Sequence, residues 1–303
     1  MTIRYDNRVA IVTGAGAGLG RQHALLLASR GAKVVVNDPG GSVDGTGGAN
    51  AVADTVVAEI RAAGGEAVAN YGSVSDEKAA QGIIDTAMNT WGRLDILVNN
   101  AGILRDKSFS KMENEDFRVV VDVHLMGTVY CTKAAWPHMR AARYGRIVVT
   151  TSGSGTLGNF GQANYGAAKM GVNGLINVLR HEGASYNIKL NAISPSARTR
   201  MTEDLIPEEV AVYMKPELVS PAVGWMCSEQ CDVSGEIISA NAGSFSVVKY
   251  FQTEGVQFDP GEPVTLEMFS EAWPKINDWT GAGPMGRSRG RLEARLRAMG
   301  RIK

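Results

Sequence analysis

Seven short runs rich in β-branched residues recur along this chain: "RVAIVTG", "AKVVVND", "GEAVANYG", "LDILVNNAG", "GRIVVTTSG", "IKLNAISP" and "GEIISANAG". Several are apolar at successive positions rather than alternate ones. A strand reads so when helices cover both of its faces, as in a parallel sheet. Helical stretches fall between the runs, and that alternation predicts an α/β, doubly wound parallel sheet joined by right-handed crossovers. With 303 residues, 44% of them hydrophobic, the chain can fill one large core.

The helical stretches carry their own punctuation. "GRQHALLLASRG" stops at Gly31, "ANAVADTVVAEIRAAGG" at its glycine pair, and "SDEKAAQGIIDTAMNTWG" has Ser75 as expected cap and Gly92 as stop. A longer pattern runs from about Glu113 to Arg143, where Pro137 is expected to kink it. In "GNFGQANYGAAKM" Asn164 is the expected cap of a further helix. The strand–helix rhythm ends after Ala242, so residues 1–243 read as one domain and 244–303 as a C-terminal extension with a basic, solvated tail. The connection "DPGGSVDGTGGAN", Asp38 to Asn50, is far longer than the few residues usual between strand and helix, and reads as a mobile surface loop or a flap over a ligand.

Lys plus Arg equal Asp plus Glu at 31 each, so no whole-chain field draws this protein to nucleic acid or an anionic membrane. No run reaches the eighteen or so apolar residues that a membrane-spanning helix needs. Cys131, Cys227 and Cys231 are an odd number in a chain opening on the charged "MTIRYDNR", a pattern that suits a reducing cytoplasm. Cys227 and Cys231 have the spacing of helix neighbours, but without a further Cys/His pair they do not complete a metal site. No metal is expected.

"TGAGAGLG", Thr13 to Gly20, follows the first strand and opens the first helix. Gly14, Gly18 and Gly20 permit a tight turn and let backbone N–H groups, with Leu19 beside them, approach a pyrophosphate at the helix N-terminus. Asp38 ends the second strand, where a carboxylate can accept hydrogen bonds from an adenine-ribose 2′-hydroxyl and repel a 2′-phosphate; it can equally cap its own turn. No Arg or Lys adjoins it, which favours NAD over NADP. Arg21 reads as an exposed first-turn side chain. Tyr165 and Lys169, four apart on one helix, place a phenol beside an ammonium, either as an exposed amphipathic face or as a catalytic pair. A tyrosine titrates near pH 10 and serves as a base at neutral pH only if something stabilises its phenolate, the part expected of Lys169.

The order and spacing of "TGAGAGLG", "NNAG" at Asn99 to Gly102, Ser152 after the fifth strand, and Tyr165-Gly-Ala-Ala-Lys169 resemble the short-chain dehydrogenase/reductase family over residues 8 to about 243. The resemblance implies a Rossmann-type fold, a catalytic Ser152, Tyr165 and Lys169, a nicotinamide cofactor, and a homodimer or homotetramer. It adds Asn100, Ala101, Gly102 and Pro195 to the cofactor contacts, with Tyr165 and with Lys169 on the nicotinamide ribose. Three positions depart from the family pattern. Ser73 and Val74 stand where an aspartate usually precedes the adenine contact. Ser196 replaces a glycine, leaving open which of Thr199 and Thr202 reaches the carboxamide. His124 takes the place of an asparagine in a proton relay, and a lone buried histidine reads equally as a hydrogen-bonded core residue.

Segments such as "NDPGG", "NNAGILRDKSF", "VHLMGT" and "GNFGQANYGAAK" resemble the (3R)-hydroxyacyl-CoA dehydrogenase branch of that family. NAD-dependent oxidation of a (3R)-hydroxyacyl-CoA to the 3-ketoacyl-CoA is the implied activity. Arg105, Lys107 and the arginines of the tail are the candidates for coenzyme A phosphates. Two alternatives stay open: a 17β-hydroxysteroid dehydrogenase acting on free sterols, and a non-catalytic NAD(H)-sensing protein. The family's peroxisomal Ser-Lys-Leu type of ending is not seen in "RIK".

Overall fold

The computed structural model describes residues 2–47, 51–199, 207–285 and 288–303, the side chains at 288, 289 and 291 excepted. It divides into two compact units, Met1–Val247 and Val248–Lys303.

The first unit is built on an eight-stranded sheet with strand order β3-β2-β1-β4-β5-β6-β7-β8. The strands are β1 Val9–Thr13, β2 Lys33–Asn37, β3 Glu66–Asn70, β4 Ile96–Asn99, β5 Gly145–Thr150, β6 Ile188–Ser196, β7 Ile237–Asn241 and β8 Ser244–Val248. The first seven pair in parallel, with Val9 beside Lys33 and Ala10 beside Ile96 across the centre. The run "VAIVT" of β1 is buried at all five positions, as a strand sandwiched between helices must be. The order doubles back at β1 and β4, and clefts that hold ligands form at the carboxyl ends of strands at such a reversal. The eighth strand has no counterpart in the sequence reading. Ala242 and Gly243, both at positive φ (47° and 82°), turn β7 into β8, and a two-residue connection of that hand can join only antiparallel neighbours.

The helices are α1 Gly18–Ser29, α2 Ala51–Ala62, α3 Glu77–Trp91, α4 Asn114–Val121, α5 Gly127–Ala142, α6 Gly153–Thr156, α7 Ala163–Gly183, α8 Glu208–Ala211 and α9 Ser220–Cys227. Apolar faces of α1, α2 and α9 close on one side of the sheet around Leu27, Val56, Ile60, Val223 and Met226. Asp76, not Ser75, caps α3, accepting the Ala79 N–H at 2.7 Å, while Gly92 ends that helix in the left-handed region as its sequence predicts. Helix α5 continues through Pro137, and the irregular turn of this long segment lies at Asp122–Met126, a π-helical turn. Cys227 is the last residue of α9 and Cys231 lies beyond it, so the two are not helix neighbours; all three thiols are free and buried. Among the described residues no helix is long and apolar enough to cross a membrane.

The second unit holds a two-stranded antiparallel ribbon, β9 Phe251–Gln252 with β10 Gly283–Pro284, and helices α10 Leu266–Ile276 and α11 Ser288–Ala298. Thr265 caps α10 by accepting the Met268 N–H at 3.2 Å.

Candidate active site

The turn after β1 is shaped by what cannot fit there. A β-carbon on Gly20 would lie 2.2 Å from the Gly14 carbonyl oxygen, and one on Gly14, itself at φ +63°, would lie 2.7 Å from the Ala101 Cα. Thr13 locks this turn to the segment after β4. Its hydroxyl oxygen accepts the N–H groups of Asn100 (3.0 Å) and Ala101 (3.1 Å), and the Asn100 amide returns hydrogen bonds to the carbonyls of Thr13 and Gly14. Helix α1 starts at Gly18 with Ala17 as its cap residue, and among the described residues no side chain caps its first-turn N–H groups. Such an N-terminus is a ready anion site, with Leu19 partly buried behind it against the core.

Asp38 caps its own turn, as one reading of its sequence position has it. One carboxylate oxygen accepts the Gly16 N–H at 2.8 Å and the other the Gly40 N–H at 2.7 Å, which ties the glycine loop to the end of β2. Each oxygen keeps a further lone pair for a ribose hydroxyl. Gly16 was passed over in the sequence reading, although a β-carbon there would stand 2.8 Å from that carboxylate; the doubled "GAGAG" was the available signal. Arg21 is engaged by Glu59 of α2 at 2.6 Å rather than simply exposed. Beyond β3, the Ser73 and Ser75 hydroxyls pair at 2.9 Å, and buried Val74 packs against Gly127. Pro195 sits in β6 beside Ala240, and Thr199 lies within 3.4 Å of where a β-carbon on Gly18 would be. Thr202 lies outside the described residues.

The long connection after β2 is anchored. The Leu104 N–H donates to the Val43 carbonyl and the Arg105 guanidinium to the Asp44 carbonyl, both at 2.9 Å. Because β2 and β4 flank β1, this loop runs across the carboxyl end of β1.

Ser152, Tyr165 and Lys169 come together beyond β5. Ser152 caps the short α6, accepting the Ser154 N–H at 3.1 Å. Two glycines let α6 rest on α7: β-carbons on Gly155 and Gly166 would stand 2.9 Å from Lys169 Cβ and from the Ser154 carbonyl. Ser152 lies close enough to the Tyr165 phenol to favour its ionised form. Lys169 is 2% exposed; its ammonium donates to the Thr150 carbonyl at 2.5 Å and lies 5.4 Å from the Tyr165 ring centroid. Asn164 is not the cap of α7. It is fully buried, and its amide reaches the carbonyls of Arg105 and Asp116 at 3.1 and 3.2 Å, tying α7 to the strand-end segment.

The electrostatics differ from the expectation that Lys169 draws the phenol down. Burial pushes Tyr165 above its usual value; Ser152 pulls it back in part, and the Asp106 carboxylate pushes it up. Burial also lowers the Lys169 ammonium to about 7, so near neutrality the amine holds only part of a charge with which to stabilise a phenolate. His124, 3% exposed in the π-helical turn, stacks edge-on against Tyr165 at 5.0 Å between centroids. Its Nε2 faces both the Ile103 N–H at 3.1 Å and the Ile103 carbonyl at 2.8 Å, so each neutral tautomer satisfies one of them, and Nδ1 has no partner among the described residues. Burial, then the charge of Lys169, holds the ring's pKa well below its usual value. A β-carbon on Gly102 would stand 2.3 Å from His124 Cε1. Lys107 and Arg105 both face Asp116, at 2.7 and 3.6 Å. Among the described residues no group of three or more His, Cys, Asp or Glu could hold a metal ion.

This geometry has close relatives. The chain is 49% identical over 286 residues to the peroxisomal multifunctional enzyme type 2 of Drosophila melanogaster, covering 94% of this chain and 47% of that protein. The solved structure of that fly enzyme superposes with a TM-score of 0.83 at 42% identity, over 99% of this chain and 51% of the other. The present chain thus spans about half the length of that relative. A short-chain type dehydrogenase/reductase of Mycobacterium tuberculosis is 51% identical over 277 residues, 91% of this chain and 96% of the other. A 7α-hydroxysteroid dehydrogenase solved with NADH and 7-oxo glycochenodeoxycholic acid superposes with a TM-score of 0.72 at 29% identity, over 79% of this chain and 95% of that one. The short chain dehydrogenase family matches residues 8–209. A parallel sheet that reverses at β1 and β4, a glycine turn at the reversal and a Tyr–Lys helix beside it meet in one chain, which belongs to the short chain dehydrogenase family and is an oxidoreductase.

Proposed function

We propose that this protein oxidises a (3R)-hydroxyacyl-CoA to the 3-ketoacyl-CoA with NAD, working through Ser152, Tyr165 and Lys169. The observation that carries the reading is the meeting of Ser152, Tyr165 and buried Lys169 beside the glycine turn. Similarity to the fly multifunctional enzyme supports the thioester as substrate. The cleft fits a dinucleotide without a 2′-phosphate. The N-terminus of α1, without a side-chain cap, would hold the pyrophosphate, and Asp38, which no Arg or Lys adjoins in sequence, the ribose hydroxyls. NAD bound there supplies the hydride acceptor.

Ser152 holds the substrate oxygen against the phenol, and Tyr165 removes the hydroxyl proton in oxidation and returns it in reduction. Lys169 has to be protonated to favour the phenolate, and a cofactor's ribose hydroxyls in reach of its Nζ would add acceptors beside the Thr150 carbonyl. His124 holds the Ile103 backbone and the Tyr165 ring in place; its depressed basicity makes it a positioning residue rather than a proton carrier near neutral pH. A homo-oligomer and a reducing setting, with three buried free thiols, complete the reading.

Free sterol is the second reading. One observation favours it: Arg105 and Lys107, the cations nearest the site in sequence, are taken up by Asp116 rather than left for coenzyme A phosphates. The test offers (3R)- and (3S)-hydroxydecanoyl-CoA and 17β-estradiol with NAD and follows NADH. Turnover of the (3R) thioester supports the proposal, and turnover of estradiol alone replaces it with the sterol reading. Tyr165→Phe is expected to abolish turnover while leaving NAD binding within a factor of about two.

A further inference from the structure

The residue before Tyr165 is fully buried, and every polar group of its side chain is taken. Asn164, in the first turn of α7, donates one amide hydrogen to the Arg105 carbonyl at 3.1 Å and the other to the Asp116 carbonyl at 3.2 Å. Only the NH₂ side of an amide can face two carbonyls, so the orientation is fixed. The Oδ1 atom is left to accept the Tyr165 N–H at 2.8 Å. That N–H is one of the first-turn donors for which a helix has no partner of its own.

The two acceptors are themselves joined. The Arg105 guanidinium lies 3.6 Å from the Asp116 carboxylate, and Lys107 meets the other oxygen of that carboxylate at 2.7 Å. Asn164, Arg105 and Asp116 therefore close a ring, made of two bonds from side chain to backbone and one ion pair. The ring brings together the entrance of α7, the segment after β4 and the first turn of α4. A partly exposed ion pair adds little stability alone, but this one sets the spacing of two carbonyls that a buried amide has to meet.

Tyr165 stands one peptide bond from this anchor. Farther out, its ring meets the His124 ring at 5.0 Å and the Lys169 ammonium at 5.4 Å. The phenol oxygen is at the tip of a rigid side chain, so a small rotation of the first turn of α7 is magnified there, and a misplacement of about 1 Å at a reacting group costs about 10²-fold in rate.

We infer that Asn164 is a positioning residue: by tying the first turn of α7 to Arg105 and Asp116, it holds the Tyr165 backbone where the phenol meets the substrate oxygen. The inference rests on the proposed role of Tyr165 and deepens it by naming what sets that residue in place.

Three variants and one spectrum test this. Asn164→Ala removes both donors and the acceptor, and its kcat for (3R)-hydroxydecanoyl-CoA is expected to fall about 10- to 100-fold with KM and NAD affinity within a factor of about two, the signature of lost alignment. Asn164→Ser has one hydroxyl hydrogen for two carbonyls; its kcat falls between, and it replaces the alanine variant should that one fail to fold. Asn191→Ala is the structural control. That buried amide also ties distant backbone, donating to the Val233 carbonyl at 3.1 Å and accepting the Glu236 N–H at 3.0 Å, and its loss is expected to lower stability and leave kcat at the wild-type value.

The spectrum needs no substrate. With 3-fluorotyrosine in place of tyrosine, the fluorine NMR line of Tyr165 is the one missing from Tyr165→Phe. It is expected to broaden or split in both Asn164 variants and to stay single in wild type and in Asn191→Ala. An unchanged line in the Asn164 variants overturns the inference even when the thioester is turned over. Wild-type kcat in them, or an equal loss of kcat in Asn191→Ala, overturns it as well. Turnover preserved in Tyr165→Phe is a separate failure, which removes the proposed catalytic role and the inference with it.

Discussion

The Lys169 ammonium donates to the Thr150 carbonyl at 2.5 Å, inside a wall that leaves the residue 2% exposed. One hydrogen bond to a neutral carbonyl does not replace the water that burial removes, and the amine's pKa falls to about 7 from an ordinary 10.5. Between those two pH values the unfolded chain binds a proton that the folded chain does not. Stability without cofactor therefore rises with pH across that window, and the penalty is complete below about pH 7. Lys169→Met lacks this term. Its melting temperature is expected to exceed that of wild type, with the gap widening from pH 9 to pH 7 by up to about 1.4 kcal/mol per pH unit, while turnover falls by about 10² or more. Scanning calorimetry of both proteins across that range checks the slope, and parallel curves refute it.

Gly102 and His124 form a second tight pair. Gly102→Ala drives a methyl to 2.3 Å from the ring and is expected to cost about 1–3 kcal/mol. His124→Ala leaves the Ile103 N–H and carbonyl without their shared partner, for a cost of about 1–3 kcal/mol. The double variant should cost about 1 kcal/mol less than the sum, because the methyl then enters space the ring has vacated. Urea midpoints at constant slope measure all three.

Asp38→Ala frees the Gly16 and Gly40 N–H groups and removes the carboxylate that follows β2. NAD affinity is expected to fall about 10- to 100-fold with NADP affinity reduced less, so the ratio of the two narrows. Quenching of intrinsic fluorescence by each dinucleotide gives both constants. A ratio unchanged from wild type would remove Asp38 from cofactor choice.

Arg21 and Glu59 join α1 to α2 at 2.6 Å, with both side chains a third or more exposed. Exposed pairs are worth little, and Arg21→Ala is expected to change stability by less than about 1 kcal/mol and NAD affinity hardly at all. A larger loss of NAD affinity, read by the same quenching, would place Arg21 in the cofactor site.

Much of this was legible in the chain because the signals were local. A strand buried on both faces is apolar at almost every position, and β1, β2 and β4 show it. The glycine turn announced itself by residues that no side chain can replace. The failures are equally physical. Ser75 and Asp76 are both good caps, and only the direction of the incoming chain chooses between them. Asn164 looks like a cap, but its amide finds carbonyls from two distant segments. Pro137 draws the eye as a helix breaker, while the turn that departs from the α form, Asp122–Met126, contains no proline or glycine. Strand β8 begins "SFSVV" after a two-residue turn, with no helix before it to mark the rhythm.

Composition alone marks the glycine-rich connection after β2 as the segment a protease would cut first. The bonds from Leu104 to Val43 and from Arg105 to Asp44 change that. A protease needs several residues drawn out in extended form on both sides of the scissile bond, and the stretch around Val43 and Asp44 is fastened against that. Limited digestion thus has to wait for those two bonds to open, and survival of the intact chain becomes a clock for how often they do.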